Sequence, residues 1–244
     1  MAVKKGKTLI GTMYTIGSTQ VAEILSLSGL DWVVLDMEHS TLSLEDVQKA
    51  LQVMGDRLLK IVRVPGNDEI WIKRVLDTGC DGILVPMVKT AQEAERVVRA
   101  SKYPSVGDRS VGLTRAHKFG AGFTDYISRA NKDLIIMIQI EHREGVKNID
   151  SILKVKGLDA IFIGPYDLSA SMGYIGEPGH PEVRMTIDMI RKKAKQAGLP
   201  YGIFGGNPGV LQEEFAYGCK YMVCGVDASI VSGAFNAMMK AFGR

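Results

Sequence analysis

The chain has 244 residues, of which 46% are hydrophobic and 23% charged, enough apolar material to bury one sizeable core. Its formal net charge of +3 comes from 30 basic residues scattered among 27 acids, and this balance argues against a nucleic-acid-binding surface. No apolar run approaches the ~20 residues of a membrane span and the basic start lacks a signal-peptide pattern, so no membrane contact is expected.

The three cysteines, Cys80, Cys219 and Cys224, form no close-spaced motif. An odd number of unclustered cysteines is typical of a protein in a reducing compartment. The sequence therefore predicts buried free thiols and a cytoplasmic location.

Apolar stretches with strand character alternate with helical stretches along the chain, about eight times. The predicted strands span residues 8–14, 32–35, 59–64, 82–88, 134–141, 158–164, 199–204 and 221–226. The predicted helices with defined bounds span residues 18–28, 43–54, 68–77, 90–101 and 181–197. Strands buried on both faces that alternate with helices indicate a parallel sheet covered by helices. At this length a (β/α)₈ barrel, which takes ~250 residues, fits better than an open sheet.

No linker or composition shift divides the chain, so residues 1–244 are predicted to form a single domain. No Gly-x-Gly-x-x-Gly follows the first strand, which weakens a dinucleotide-binding alternative. The segment 103–123 differs from the rest, with four glycines, Arg109 and Arg115, and little periodicity. Long irregular segments in compact domains are usually functional, so we expect a lid.

Polar residues collect where the predicted strands end, which is where (β/α)₈ barrels place their active sites. They are Asp36, Glu38 and His39 after strand two, Arg63 on strand three, Gln139 and Glu141 on strand five, and Gly164 and Asp167 after strand six. The strands on the opposite side end mostly in glycine and small apolar residues. We therefore expect the chemistry on strands two, three, five and six.

Glu141 and Asp167 are carboxylates carried by neighbouring strands, and two such acids would repel unless a cation lay between them. Oxygen ligands of this kind suit Mg²⁺ or Mn²⁺, with water and substrate completing an octahedron. The alternative is a carboxylate pair neutralised by Arg63 and lysines.

Arg63 lies inside an apolar strand, and a guanidinium that cannot lose its proton must face an anion there. That anion is either a substrate carboxylate or oxyanion, or an internal acid in a structural ion pair. His39 stands beside two acids and is a candidate general base. Asp36 or Asp77 could fix its tautomer, and an acid such as Asp77 in the last turn of a helix is disfavoured by the macrodipole.

Gly164-Pro-Tyr-Asp-Leu-Ser169 turns a strand into a helix, whose backbone N–H groups could bind a carboxylate. At these residues the chain resembles the HpcH/HpaI aldolases, metal-dependent (class II) pyruvate aldolases for hydroxy-oxo acids. The resemblance runs through segments across nearly the whole chain. They include Asp31-Trp-Val-Val-Leu-Asp-Met-Glu-His39, Val62-Arg-Val-Pro65, Gln139-Ile-Glu141, Gly164-Pro-Tyr-Asp-Leu-Ser-Ala170 and Gly179-His-Pro-Glu-Val183.

The resemblance implies an aldehyde-lyase that cleaves a 4-hydroxy-2-oxo acid reversibly to pyruvate and an aldehyde. It implies His39 as base, Arg63 as stabiliser of the enolate, and Asp77 as support for the histidine across a subunit contact. It also implies Glu141 and Asp167 as ligands of Mg²⁺ or Mn²⁺ (Co²⁺ being a further option). Gln139 and the backbone of the Gly164–Tyr166–Asp167 turn would bind pyruvate. Family members are homo-hexamers, trimers of dimers, that exchange C-terminal helices.

Three positions depart from the family pattern: Tyr166 where alanine is usual, Met13 where an aromatic residue is common, and Ser110 where glycine is frequent. The first two are expected to reshape the pocket for the aldehyde.

Four alternatives remain open from the sequence. Lys89 could form a Schiff base, the same metal and enolate could serve oxaloacetate decarboxylation, and Gly205-Gly206 with Gly225 could bind phosphate. A catalytically silent binding protein is the fourth.

Overall fold

The structure is a computed structural model that describes residues 7–244. Eight parallel strands form a closed barrel in chain order, and the last strand pairs with the first. The strands are β1 (Leu9–Tyr14), β2 (Trp32–Asp36), β3 (Leu59–Arg63), β4 (Gly82–Val85), β5 (Ile135–Ile140), β6 (Ala160–Ile163), β7 (Tyr201–Gly205) and β8 (Tyr221–Val226). The predicted (β/α)₈ barrel is confirmed.

Helices lie between successive strands and follow the last one. They are α1 (Thr19–Leu27), α2 (Leu44–Met54), α3 (Glu69–Asp77), α4 (Ala91–Ser101), α5 (Phe123–Asp133), α6 (Arg143–Lys147), α7 (Ile149–Ile152), α8 (Pro165–Ser171), α9 (Pro181–Gln196), α10 (Pro208–Tyr217) and α11 (Asp227–Ala241). A 3₁₀ segment, Arg115–Gly120, precedes α5. Among residues 7–244, no helix has both the length and the hydrophobicity to cross a bilayer.

Local capping explains where several helices begin. Ser43 accepts a hydrogen bond from the Asp46 N–H while the Asp46 carboxylate accepts from Ser43, which is the predicted capping box of α2. Pro181 begins α9 as predicted, at a position whose N–H would have no helical partner. The three cysteines are free, with Cys80 and Cys219 buried.

The interior of the barrel is filled at its amino-terminal end. The Trp32 ring packs edge-on against Phe162 and Tyr221, with ring centroids 6.3 and 5.4 Å apart. A Cβ on Gly11 would lie 2.6 Å from the Trp32 ring, so only glycine leaves room for the indole there. Because these aromatic side chains fill the amino-terminal end of the barrel, the space for a ligand is at the carboxyl ends of the strands.

Two expectations about elements need correction. The fourth strand ends at Val85 rather than Val88, because Met87 takes a left-handed φ of 55° that a strand cannot continue. Helix α5 was not anticipated, since its apolar side chains are few and its first turn follows a glycine-rich stretch.

The prediction that residues 103–123 form a lid over the active site of the same chain is wrong. Arg115 donates to the Thr78 carbonyl (2.7 Å), and Arg109 pairs with Asp77 (2.8 Å). Residues 77–79 lead directly into β4, so these contacts lie at the amino-terminal end of the barrel, opposite the strand ends that carry the polar residues. The physical reason is that α4 runs antiparallel to its strand and delivers the segment to that end.

Candidate active site

A cavity of about 270 Å³ opens at the carboxyl ends of the strands. It brings together seven of the predicted site residues from four different segments: Asp36, His39, Arg63, Gln139, Gly164, Tyr166 and Asp167. Glu141 lies directly behind this wall, because a Cβ built on Gly164 would come within 2.5 Å of its Oε2. Residues up to 131 positions apart in sequence therefore meet at one site, as the inferred barrel requires.

Arg63 and Asp36 are register partners on neighbouring strands, and their side chains form a bidentate ion pair. Arg63 Nε donates to Asp36 Oδ1 at 2.8 Å and Nη2 to Oδ2 at 2.6 Å. Burial alone would raise the pKa of Asp36, but the hydrogen bonds and charge of Arg63 outweigh burial and lower it. The internal ion pair is thus real, and the guanidinium still lines the cavity.

Glu38 is the second acid on this guanidinium, with Oε2 3.2 Å from Arg63 Nη1. Burial raises the pKa of Glu38, and the charges of Asp36 and Asp167 add to that effect while Arg63 opposes it. The sequence places Glu38 at the strand end but indicates no role for it. Its signal was its place in the run Asp36-Met-Glu-His39, between the buried acid and the imidazole.

His39 stands at the mouth of the cavity with its side chain 60% exposed. Asp36 accepts a hydrogen bond from the His39 backbone N–H (3.3 Å), so it fixes the loop and not the ring. The carboxylate beside the imidazole is Glu38, at 3.8 Å from Nε2. The structure therefore replaces Asp36 with Glu38 as the neighbouring acid of the ring within this chain.

Asp77 is not in the cavity. It ends α3 at the other end of the barrel, where Arg109 supplies the cation that an acid at a helix carboxyl terminus requires. Its implied contact with the histidine of another subunit stays a prediction.

Glu141 is a buried carboxylate behind the cavity wall, with a residue exposure of 2%. Its Oε1 accepts from the Met87 N–H at 2.7 Å, and its Oε2 accepts from the Gln139 side-chain amide. The left-handed φ of Met87 aims that N–H at the carboxylate, a strained conformation of the kind found at functional sites. The pKa of Glu141 is raised to about 7, chiefly by burial and in smaller part by the negative charges of Glu38 and Asp167.

This donor set fits a divalent cation bound partly by substrate. Glu141 carries an ionisation penalty that a cation would remove, and Gln139 Oε1 is buried without a hydrogen-bond partner. No cluster of three or more His, Cys, Asp or Glu side chains within residues 7–244 is arranged to hold a metal. Glu141 and Asp167 would therefore supply two oxygen ligands, leaving the other positions to water and substrate.

The turn from β6 into α8 brings backbone close to this carboxylate. Gly164 is required because any Cβ would overlap Glu141 Oε2 and Gln139 Nε2. Pro165 occupies the first helical position, so the N–H groups of Tyr166 and Asp167 are left without intrahelical partners. These N–H groups lie at the cavity wall and can bind an anionic oxygen.

Two of the alternatives from the sequence lose support. Lys89 does not line the cavity, and its backbone N–H is bound to Glu93 as part of the cap of α4. Gly205 and Gly206 line a neighbouring cavity whose charged lining residues are three acids and Arg184, which is itself paired with Glu213. An acidic surface of this kind does not suit a phosphate.

Comparison with known proteins identifies the family. Residues 12–233 match the family described as HpcH/HpaI aldolase/citrate lyase. The chain is 38% identical to a 4-hydroxy-2-oxo-heptane-1,7-dioate aldolase of Shigella flexneri, over all of this chain and 92% of the relative. It is 37% identical to a 2-keto-3-deoxy-L-rhamnonate aldolase of Klebsiella pneumoniae, over 98% of this chain and 90% of the relative.

A solved structure described as a HpcH/HpaI aldolase/citrate lyase family protein from Burkholderia cenocepacia superimposes with a TM-score of 0.95. It is 30% identical and the match covers 99% of this chain and 97% of that one. The resemblance found in the motifs thus extends to the whole fold. This chain belongs to the HpcH/HpaI aldolase/citrate lyase family.

Proposed function

We propose that this protein is a class II pyruvate aldolase, which cleaves a 4-hydroxy-2-oxo acid reversibly to pyruvate and an aldehyde with the help of a divalent cation. The observation that carries the proposal is one cavity that places an arginine, an imidazole and Asp167 together, in front of the buried Glu141. The names of the relatives support it, since both are aldolases of oxo acids. They do not favour oxaloacetate decarboxylation, and they speak against a catalytically silent protein.

Glu141 and Asp167 are the residues that would hold Mg²⁺, Mn²⁺ or Co²⁺. A bound divalent cation supplies Lewis-acid polarisation of the 2-oxo group, which lowers the energy of the enolate. Burial raises the pKa of Glu141, and a positive charge placed beside the carboxyl group would lower it again and favour the ionised form.

Gln139 and the N–H groups of Tyr166 and Asp167 bind the C1 carboxylate of the substrate. Arg63 lines the same cavity, so its guanidinium is available to the C2 oxygen of a substrate bound in this way. Arg63 is held rigidly by Asp36 and Glu38, so it is preorganised to stabilise negative charge that develops on that oxygen.

His39 accepts the proton of the C4 hydroxyl, directly or through a water molecule, as the C3–C4 bond breaks. The electron pair of that bond forms the enolate of pyruvate, whose C3 then takes up a proton. Its exposure at the mouth suits this role, because the aldehyde half of the substrate must leave from there. Glu38, 3.8 Å from Nε2, stabilises the protonated imidazole that results.

Exchange of the methyl protons of pyruvate into D₂O tests the proposal, because exchange requires the same enolate without any aldehyde. We expect metal-dependent exchange in the wild type, observed by NMR, and slower exchange in His39→Ala. If the wild type shows no exchange with Mg²⁺ or Mn²⁺ present, the aldolase assignment is wrong. Borohydride trapping of bound pyruvate would instead support a Schiff base on Lys89.

A homo-hexamer in the cytoplasm, built as a trimer of dimers, belongs to the same proposal. Helix α11 supports an assembly, because Ile230, Phe235 and Met238 on it are 52%, 61% and 48% exposed in the isolated chain. Light scattering coupled to size exclusion measures the mass directly. Truncation before α11 is expected to lower the number of subunits.

A further inference from the structure

Tyr166 stands between two cavities. The active-site cavity of about 270 Å³ and a second one of about 320 Å³ share three wall residues, Pro165, Tyr166 and Phe204. The second cavity extends from this wall between α8, α9 and α10, and nothing in the proposed reaction uses it.

The Tyr166 ring forms this wall through its contact with Phe204, although the residue itself is only half buried. It meets Phe204 edge-on, with centroids 5.9 Å apart and planes at 62°, and Tyr166 is 49% exposed. Its hydroxyl oxygen lies 3.6 Å from the place a Cβ on Gly206 would take, so the ring reaches across to the end of β7. A residue half exposed in this way can be shortened without opening a hole in the core.

The chemistry of the cavity decides which half of the substrate meets Tyr166. Pyruvate is bound at the side of Gln139 and Asp167, so the aldehyde half extends toward Met13, Phe204 and Val226. These three side chains give that side an apolar wall, while His39 lies at the mouth. Among residues 7–244, Arg63 is the one arginine lining this cavity, and it already faces two carboxylates, so the apolar wall favours an alkyl tail.

We propose that Tyr166 is a specificity-determining residue that limits the acceptor to short aldehydes by closing off the second cavity. This inference rests on the proposed aldolase function. A longer chain attached to the carbonyl carbon would run into the Tyr166 ring. Shortening that side chain joins the two cavities and lets an alkyl tail enter the second one, along Val210 and Leu211.

Aldol addition of pyruvate to unbranched aldehydes from ethanal to heptanal tests this with Mn²⁺-loaded enzyme. The measured quantity is the ratio of kcat/KM for heptanal to that for propanal. We expect Tyr166→Ala to raise this ratio about 10-fold or more, the discrimination that one or two methylene groups give in an apolar pocket. Tyr166→Phe keeps the ring and should leave the ratio as in the wild type.

A second substitution, at Val210, tests whether the alkyl tail of the aldehyde enters the second cavity. Val210 is 61% exposed and lines the second cavity but not the first, so Val210→Phe refills that space with little risk to folding. Adding it to Tyr166→Ala should return the ratio toward the wild-type value. An unchanged ratio in Tyr166→Ala, or a gain that Val210→Phe does not reverse, overturns the inference.

Failure of the inference is distinguishable from failure of the aldolase assignment. Pyruvate proton exchange in the wild type reports the enolate alone and involves no aldehyde. If exchange occurs while the length ratio stays fixed, only the role of Tyr166 is rejected. If exchange is absent, the function is rejected first.

Discussion

The barrel has a buried arginine–aspartate pair at each end, and the two pairs do different things. Arg63 and Asp36 lie at the carboxyl ends of the strands and border a cavity. Arg109 and Asp77 lie at the amino-terminal end, where the guanidinium carbon sits 4.6 Å from the Tyr103 ring centre and 5.9 Å from that of Tyr126. Both arginine residues are at most 5% exposed.

The difference is in what surrounds each guanidinium. Arg63 meets a second acid, Glu38, and has open space in front of it, whereas Arg109 has aromatic rings around it and a buried Nε without a partner. Buried ion pairs are weak evidence for function by themselves, since many are structural. Open space beside an excess of carboxylates is what distinguishes the Arg63 end as the candidate site.

The largest effect expected from this comparison is on turnover. Arg63→Lys keeps the positive charge but loses the planar fork, so it should lower kcat about 10²–10³-fold, as removal of an oxyanion donor does. Arg109→Lys is the matched control and should leave kcat near the wild-type value. Steady-state aldol cleavage measures both. Equal losses in the two variants would contradict the assignment of the site to one end.

Arg109→Met should act on stability instead. It leaves Asp77 without its cation and should lower the free energy of unfolding by about 3 kcal/mol, the low end for breaking a buried pair because the Asp77 side chain is 23% exposed. Urea denaturation measures this. A large loss of kcat in fully folded Arg109→Met would point to the predicted role of Asp77 across a subunit contact.

Glu141→Gln should stabilise the metal-free protein at pH 8. The pKa of Glu141 is raised from 4.5 to about 7, so the folded state keeps a proton that the unfolded chain releases between those pH values. Stability conferred by the protonated carboxyl is therefore lost as pH rises from 4.5 to 7, by about 3 kcal/mol at most. We expect the variant to gain about 2 kcal/mol at pH 8 and nothing near pH 4.

A bound metal should reverse the order of stability between the wild type and Glu141→Gln. At 100 times its Kd, Mn²⁺ should stabilise the wild type by about 2.7 kcal/mol and leave Glu141→Gln nearly unchanged. Thermal denaturation with EDTA or with Mn²⁺ gives all four values. A metal-free variant less stable than the wild type at pH 8 would show that Glu141 is not penalised by burial.

The smallest expected effect is that of Gly164→Ala. The new Cβ would displace the Glu141 carboxylate and should weaken Mn²⁺ binding about 10-fold or more, as loss of a supporting contact at a metal site does. Gly179→Ala is the control, because a Cβ there meets nothing within 4 Å. Calorimetric titration with Mn²⁺ compares the two. Unchanged affinity in Gly164→Ala would place the metal elsewhere.

Much of this architecture was predictable from local patterns. Apolar strands ending in polar residues predicted the barrel and the end at which Arg63, Gln139 and Glu141 meet, because parallel strands bring their carboxyl ends to one side. The capping box at Ser43 and the proline start of α9 were equally local. These features depend only on neighbours in the chain or on the repeat of strand and helix.

Tertiary structure decided what depends on pairing between distant residues. The register of β2 on β3 pairs Asp36 with Arg63, and Glu38 lies beside His39. The direction of α4 places residues 103–123 at the amino-terminal end of the barrel. The position of Tyr166 between two cavities depends on the β7 end and α10, about forty residues away. Side chains contact through space, so the sequence alone determined the barrel and its polar end, whereas packing decided which partner each charged group has.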